Sequence, residues 1–316
     1  MKILVTGGAG FIGSNLVPHL ARLGHDVMVL DNLSVGQKLP KFPSAVKFRR
    51  GDFLDAAALR DCLVGVDAVV HLAAMSGVMD SIADPVRCFT DNAEGTFRLL
   101  EASRRAGVVQ FVNASTGGAI LGEVAPPISE AMAPAPLSPY GASKLATEGF
   151  CSAYSASFGL PCVSLRFSNI YGANSAHKKS VVAAFIKRVL NDEPLLIYGD
   201  GTQRRDYLFV GDLVRGIAAA IGRRVSGTFQ LGSGRPTSLL ELIQGLEVAA
   251  GRKLAIEFEP SRKGEVHSTW CDITKARETF DYCAPTALAD GVRATWDWFA
   301  GNQATWREQR ILADAD

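Results

Sequence analysis

The sequence predicts an α/β fold, a doubly wound parallel sheet with helices on both faces followed on the C-terminal side by a smaller, irregular α/β lobe. Three observations predict it. Apolar runs of strand length alternate with helical patterns through the first half of the chain, as a parallel sheet requires. Three glycines, Gly7, Gly10 and Gly13, follow the first run at a spacing of three. From about residue 172 the units shorten, punctuated by Pro194, Gly199, Gly201, Gly232, Gly234, Pro236, Pro260 and Gly264.

The elements follow in order. Ile3 to Val5 is the first strand, and Thr6-Gly7-Gly8-Ala9-Gly10-Phe11-Ile12-Gly13 hands it over to a helix from Ile12 to Leu23 that closes at Gly24. Gly7 suits the tight turn, Gly10 lets backbone approach a pyrophosphate, and Gly13 lets the helix pack closely. The amides of Phe11, Ile12 and Gly13 and the positive end of the helix then face the anion. This makes the first half a Rossmann-type dinucleotide site. Further strands are Val27 to Leu30, Val46 to Phe48, Ala68 to His71, Val109 to Val112 and Cys162 to Arg166, with a helix from Pro85 to Ala106 closing at Gly107. A division into an NAD-binding domain over 1–171 and a substrate lobe over 172–316, with some crossing of the chain, follows.

Asp31-Asn32 ends the second strand, where a carboxylate accepts both hydroxyls of an adenosine ribose and repels a 2'-phosphate, so NAD is the expected cofactor. A turn role for Asp31 is the alternative. Asp52-Phe53 holds the adenine edge, or Asp52 caps a helix. Leu72-Ala73-Ala74 supplies the small residues that backbone pressed against a cofactor needs, Asn92 joins the cofactor set, and His71 reads as core.

Ser138-Pro139-Tyr140-Gly141-Ala142-Ser143-Lys144 starts a helix, with a capping Ser and Pro at its first position. Lys144 is then the i+4 neighbour of Tyr140, and a cation beside a phenol is expected to lower its pKa and make a usable base. Thr116, in Asn113-Ala114-Ser115-Thr116-Gly117-Gly118, sits at a strand end where it can bond the same reacting oxygen or simply shape a turn.

These motifs, with Arg166 to Gly172 and Tyr198 to Tyr207, resemble the extended short-chain dehydrogenase/reductases, and among them the NAD-dependent nucleotide-sugar epimerase/dehydratase family, closest to its UDP-glucose 4-epimerases. The resemblance implies a transient oxidation at C4 of a nucleotide sugar and return of the hydride to the opposite face. It also implies substrate contacts by Thr116, Asn169, Tyr198, Arg205, Arg262 and Thr269. The related dehydratases follow the catalytic Thr with Asp-Glu; here Gly117, Gly118 and Ala119 bring no titratable group, which favours epimerisation, with Glu123 the nearest carboxylate along the chain. The small Thr269 leaves room for an N-acetyl group, and His177-Lys178-Lys179 is either a solvated charge run or a site for a uronate. A homodimer through helices 85–106 and 139–158 is the family expectation.

Composition narrows the partners. Lys and Arg number 33 against 32 acids, a net charge of +1, so no field draws the chain to nucleic acid or membrane. No apolar stretch approaches the roughly 20 residues of a membrane helix. Six cysteines (Cys62, Cys88, Cys151, Cys162, Cys271, Cys283) form no metal-binding spacing, so a metal-free, reduced, cytoplasmic protein opening directly on a strand is expected.

Overall fold

The computed structural model describes residues 1–35, 39–261, 267–304 and 306–307. The first six strands are β1 (Lys2–Thr6), β2 (Asp26–Asp31), β3 (Lys47–Arg50), β4 (Ala68–His71), β5 (Gln110–Thr116) and β6 (Cys162–Phe167). Eight more follow: β7 (Asn169–Tyr171), β8 (Leu195–Tyr198), β9 (Arg204–Arg205), β10 (Tyr207–Phe209), β11 (Gly227–Leu231), β12 (Thr237–Ser238), β13 (Ile256–Glu259) and β14 (Ser268–Thr269).

Seven of them form one sheet in the order β11-β6-β5-β4-β1-β2-β3, every neighbouring pair parallel. This is the Rossmann-like α/β fold. The strand order reverses between β1 and β4, and in open α/β sheets ligands sit outside the strand ends at such a reversal. Successive side chains of β1 serve opposite faces: Ile3 and Val5 join one apolar core and Leu4 the other. Helix Phe11–Arg22 covers the first face with Leu16, Val17 and Leu20, while Ala56–Leu63 and Gly95–Arg105 cover the second.

The structure refines three expectations. The strand expected at Val46 to Phe48 is Lys47–Arg50, because it pairs with β2 through Asp31 opposite Arg50. The helix expected as one piece from Pro85 consists of Pro85–Cys88, a π-helical segment Phe89–Glu94, and Gly95–Arg105. Thr96 Oγ1, just past this segment, donates to its Asn92 carbonyl at 2.5 Å, and a π-turn carries no periodicity that sequence would betray. Residues beyond 172 also do not all leave the sheet. Helix Val210–Gly222 packs Leu213 and Ile217 into the first core, and β11 forms the sheet edge beside β6.

The remaining strands make small sheets over the strand ends. β7 pairs with β10, β8 with β13, and β9 lies between β12 and β14, which sets Thr269 opposite Arg205. A third core, with Phe185, Leu242, Leu246 and Phe299, supports them.

Candidate active site

The glycine loop is shaped by close approach. Gly7 has φ +69°, and a Cβ there would meet Ala73 N at 2.5 Å, so the loop after β1 lies against the backbone after β4. A Cβ on Gly13 would meet Gly8 Cα at 2.5 Å; the glycine lets the helix pack on the loop itself rather than on the strand. Helix Phe11–Arg22 has no side-chain cap at Gly10, so its first-turn amides, those of Phe11, Ile12 and Gly13, lack the usual side-chain acceptor. These features fit a dinucleotide diphosphate.

Asp31 does two things. Its Oδ2 accepts from Ala9 N at 2.9 Å, tying the glycine loop down, and its Oδ1 accepts from Leu33 N at 2.8 Å, the turn role that sequence allowed. Asn32 donates to Asp52 Oδ2 at 2.9 Å, joining the ends of β2 and β3. Asp52 does not cap the following helix; Asp55 does, accepting from Ala57 N at 2.8 Å. The Phe53 ring is buried edge-on to His71. His71 bonds Thr6 Oγ1 at 2.7 Å and Thr96 Oγ1 at 2.9 Å, and burial pushes its pKa down to about 3, a neutral core histidine. Leu72, Ala73 and Ala74 are half-buried at the end of β4. Asn92 is fully buried, its amide spent on Met75 O, Ser143 Oγ and Met75 N. It braces the loop after Ala74 against the helix of Lys144, and its side chain points away from solvent.

Helix Pro139–Phe158 begins as expected, with Ser138 Oγ accepting from Gly141 N at 3.1 Å. Its first turn packs against the end of β5. Gly141 has no room for a Cβ because the Ala119 carbonyl occupies that space, and Lys144 Nζ donates to the Ala114 carbonyl at 2.9 Å. One expectation fails. Burial, aided by the Cys88 thiol, pushes the Tyr140 phenol up to about 12, and burial pushes Lys144 down to about 8. Desolvation disfavours the charged form of each group and is the largest cause of both shifts.

A cavity of about 190 Å³ opens at the end of β5, lined by Thr116, Gly118, Ala119, Asn169, Arg205 and Thr269 among others. Four of the expected substrate residues therefore meet in one place although they lie on β5, β7, β9 and β14. A second cavity of about 230 Å³ shares Asn169 and Arg205 and extends to Ser180, Gln203 and Tyr207. Tyr198 lines neither, its strand β8 being paired with β13, and Arg262 lies outside the described residues. Of the basic segment, Lys179 is exposed, but Lys178 is half-buried and donates to Ser76 Oγ at 3.0 Å, so it is no solvated run.

Two features escaped sequence reading. Asp206 lines the first cavity yet is buried, with Oδ1 accepting from Ser233 N at 2.6 Å and Oδ2 from Gly234 N and Cys271 N, each at 3.1 Å. It fastens the cavity wall. Gln230, on β11, sits where a side chain at 117 would go: a Cβ on Gly117 would meet Gln230 Oε1 at 2.7 Å and Ile128 Cδ1 at 2.9 Å. At Gly118 a Cβ would meet only Thr269 Cγ2, in ordinary contact at 3.8 Å.

Residues 3–232 match the model of the NAD dependent epimerase/dehydratase family. The chain belongs to that family. Among its members, the UDP-glucose 4-epimerase of Mycolicibacterium smegmatis is 38% identical over 309 residues, covering 95% of this chain and 98% of that protein. The crystal structure of UDP-glucose 4-epimerase with UDP-glucose from Thermotoga maritima superposes with a TM-score of 0.91 at 36% identity, covering 96% of this chain and all of that one. UDP-glucuronic acid 4-epimerase from Bacillus cereus, in complex with UDP-glucuronic acid and NAD, gives 0.87 at 34% identity, covering 95% and 99%.

Proposed function

We propose that this member of the epimerase/dehydratase family is an NAD-dependent 4-epimerase of a UDP-sugar, acting on UDP-glucose and UDP-galactose or on their N-acetyl or uronate forms. The observation that carries epimerisation over elimination is the state of the carboxylates around the sugar cavity. Elimination needs an acid and a base beyond Tyr140. Position 117 is a glycine, Glu123 is exposed beyond the short helix Gly118–Leu121, and both oxygens of Asp206 are occupied.

Gly7, Gly10, Gly13 and the first-turn amides hold the NAD diphosphate, Asp31 its adenosine ribose, and Asp52-Phe53 and Leu72 to Ala74 its flanks. When bound, NAD supplies a hydride acceptor for C4 and a positive ring beside the phenol. Tyr140 takes the proton of the 4-hydroxyl and returns it, Thr116 bonds the same oxygen, and Lys144 keeps a cation at the phenol. Arg205, with Arg262, neutralises the sugar diphosphate, and Asn169 orients it. Thr269, small and beside Gly118, sets how large a sugar substituent fits.

A homodimer across the helices of 85–105 and 139–158 is the second part of the proposal. Val86, Phe89, Phe97, Phe150 and Phe158 are exposed there, and the Phe97 and Phe150 rings meet at a tilt of 54° with centroids 5.1 Å apart. An exposed aromatic row of this kind supports an interface there.

The test is to follow anomeric protons by NMR as the purified protein is given each UDP-sugar without added reductant. Inversion at C4 is expected. Accumulation of a 4-keto-6-deoxy sugar would establish a dehydratase, and a stoichiometric need for NADH a reductase.

A further inference from the structure

One turn beyond Lys144, Glu148 meets Arg166 of β6 in a buried pair, side chains 7% and 5% exposed. The contact is bidentate: Arg166 Nε donates to Oε1 at 2.9 Å and Nη2 to Oε2 at 2.7 Å. Oε1 also accepts from Ser115 Oγ at 2.7 Å, and Ser115 lies opposite Arg166 in the sheet register. Three consecutive residues of β5 thus serve one centre. The Ala114 carbonyl holds the Lys144 ammonium, the Ser115 hydroxyl holds Glu148, and Thr116 lines the sugar cavity. Arg166 Nη1 has no partner among the described residues, so the guanidinium depends on Glu148.

A buried ion pair is a poor device for stability, since well-packed apolar residues of equal volume serve as well or better. Its placement accounts for it better. The titratable groups that act on or beside Lys144 are His71 from β4, Cys88 from helix Pro85–Cys88, and Tyr140, Glu148 and Cys151 from its own helix. His71 is neutral and the cysteines are buried thiols, which leaves Glu148 as the carboxylate of the set.

We propose that Glu148, locked by Arg166 and Ser115, is a positioning residue that pins the Lys144 turn to the end of β5 and keeps a negative charge one helical turn from its ammonium. The proposal rests on the reading of Tyr140 and Lys144 given above. Opposite-signed variants test it. With lysine-labelled protein, the Lys144 ammonium resonance, assigned by its loss in Lys144→Met, is titrated in Glu148→Gln and in Arg166→Gln. Glu148→Gln should lower the titration by about one unit and Arg166→Gln should raise it, since one removes the anion and the other its neutralising partner. A merely structural role moves both variants the same way or neither, and that result overturns the proposal.

Kinetics give the second readout. Glu148→Gln should lower kcat at least about tenfold with KM for the UDP-sugar unchanged. If Glu148→Gln does not fold, the apolar replacement Glu148→Leu with Arg166→Met keeps the packing but leaves Ser115 without its acceptor; the same loss of kcat is expected, and a wild-type kcat overturns the proposal. A wild-type protein that turns over no UDP-sugar defeats the reading of Tyr140 and Lys144 instead, while the titration still decides Glu148.

Discussion

Single side chains carry the chemistry. Tyr140→Phe should lower turnover by at least about 10³-fold while NAD still co-purifies, because the ring and its packing are kept and only the proton carrier is lost. Since burial holds the phenol near 12 in the protein as described, saturation with NAD⁺ should lower the pH at which phenolate absorbance appears, and an unchanged midpoint would remove the cofactor ring from the activation of Tyr140. Gly117→Asp should not by itself create a dehydratase, and because its Cβ meets only the movable side-chain ends of Gln230 and Ile128 it should cost under about 1 kcal/mol in denaturant melts. His71 titrates at 6.5 when unfolded and about 3 when folded, so its neutral form is favoured by the native state. Stability from this residue is complete above 6.5 and is lost as pH falls through that window, by up to about 1.4 kcal/mol per pH unit. His71→Gln should accordingly close the stability gap to wild type on acidification, and a gap independent of pH would refute the assignment.

At the scale of elements, the loop from Gly7 to Gly13 is a close approach between backbones as much as a phosphate cradle. Gly7→Ala would place a methyl 2.5 Å from Ala73 N at positive φ and should cost about 1–3 kcal/mol in melting experiments besides weakening NAD. That loop was legible in sequence because strand, glycine spacing and helix coincide within thirteen residues, and the Tyr140 helix because Ser138 and Pro139 announce its start. Other elements were not legible for physical reasons. The π-helical segment Phe89–Glu94 has no periodicity of its own, and β9, β12 and β14, two residues each, are too short to show alternation. The effect of burial on Tyr140 depends on what packs over the helix, which spacing along one helix does not reveal. Asp206 looked like part of a loop signature; only the assembled wall shows it fastening Ser233, Gly234 and Cys271.

Over the whole molecule, the aromatic row Phe97, Phe150, Tyr154 and Phe158 joins two helices on one surface, with centroids from 4.9 to 6.2 Å apart. If the proposed dimer forms there, Phe150→Glu should halve the mass seen by analytical ultracentrifugation without unfolding the protomer; a wild-type mass distribution would overturn that proposal. The seven-stranded sheet and the small sheets above it also share a consequence for folding. Thr116, Asn169, Arg205 and Thr269 are separated by stretches of chain that contain nearly half of the other elements, so the sugar cavity cannot exist in a fragment that lacks them. Binding of a UDP-sugar should therefore appear only with the last step of refolding, after the sheet around β1 and β4 has formed. A ligand added to refolding protein would then act as a clock for completion, its signal lagging the recovery of secondary structure.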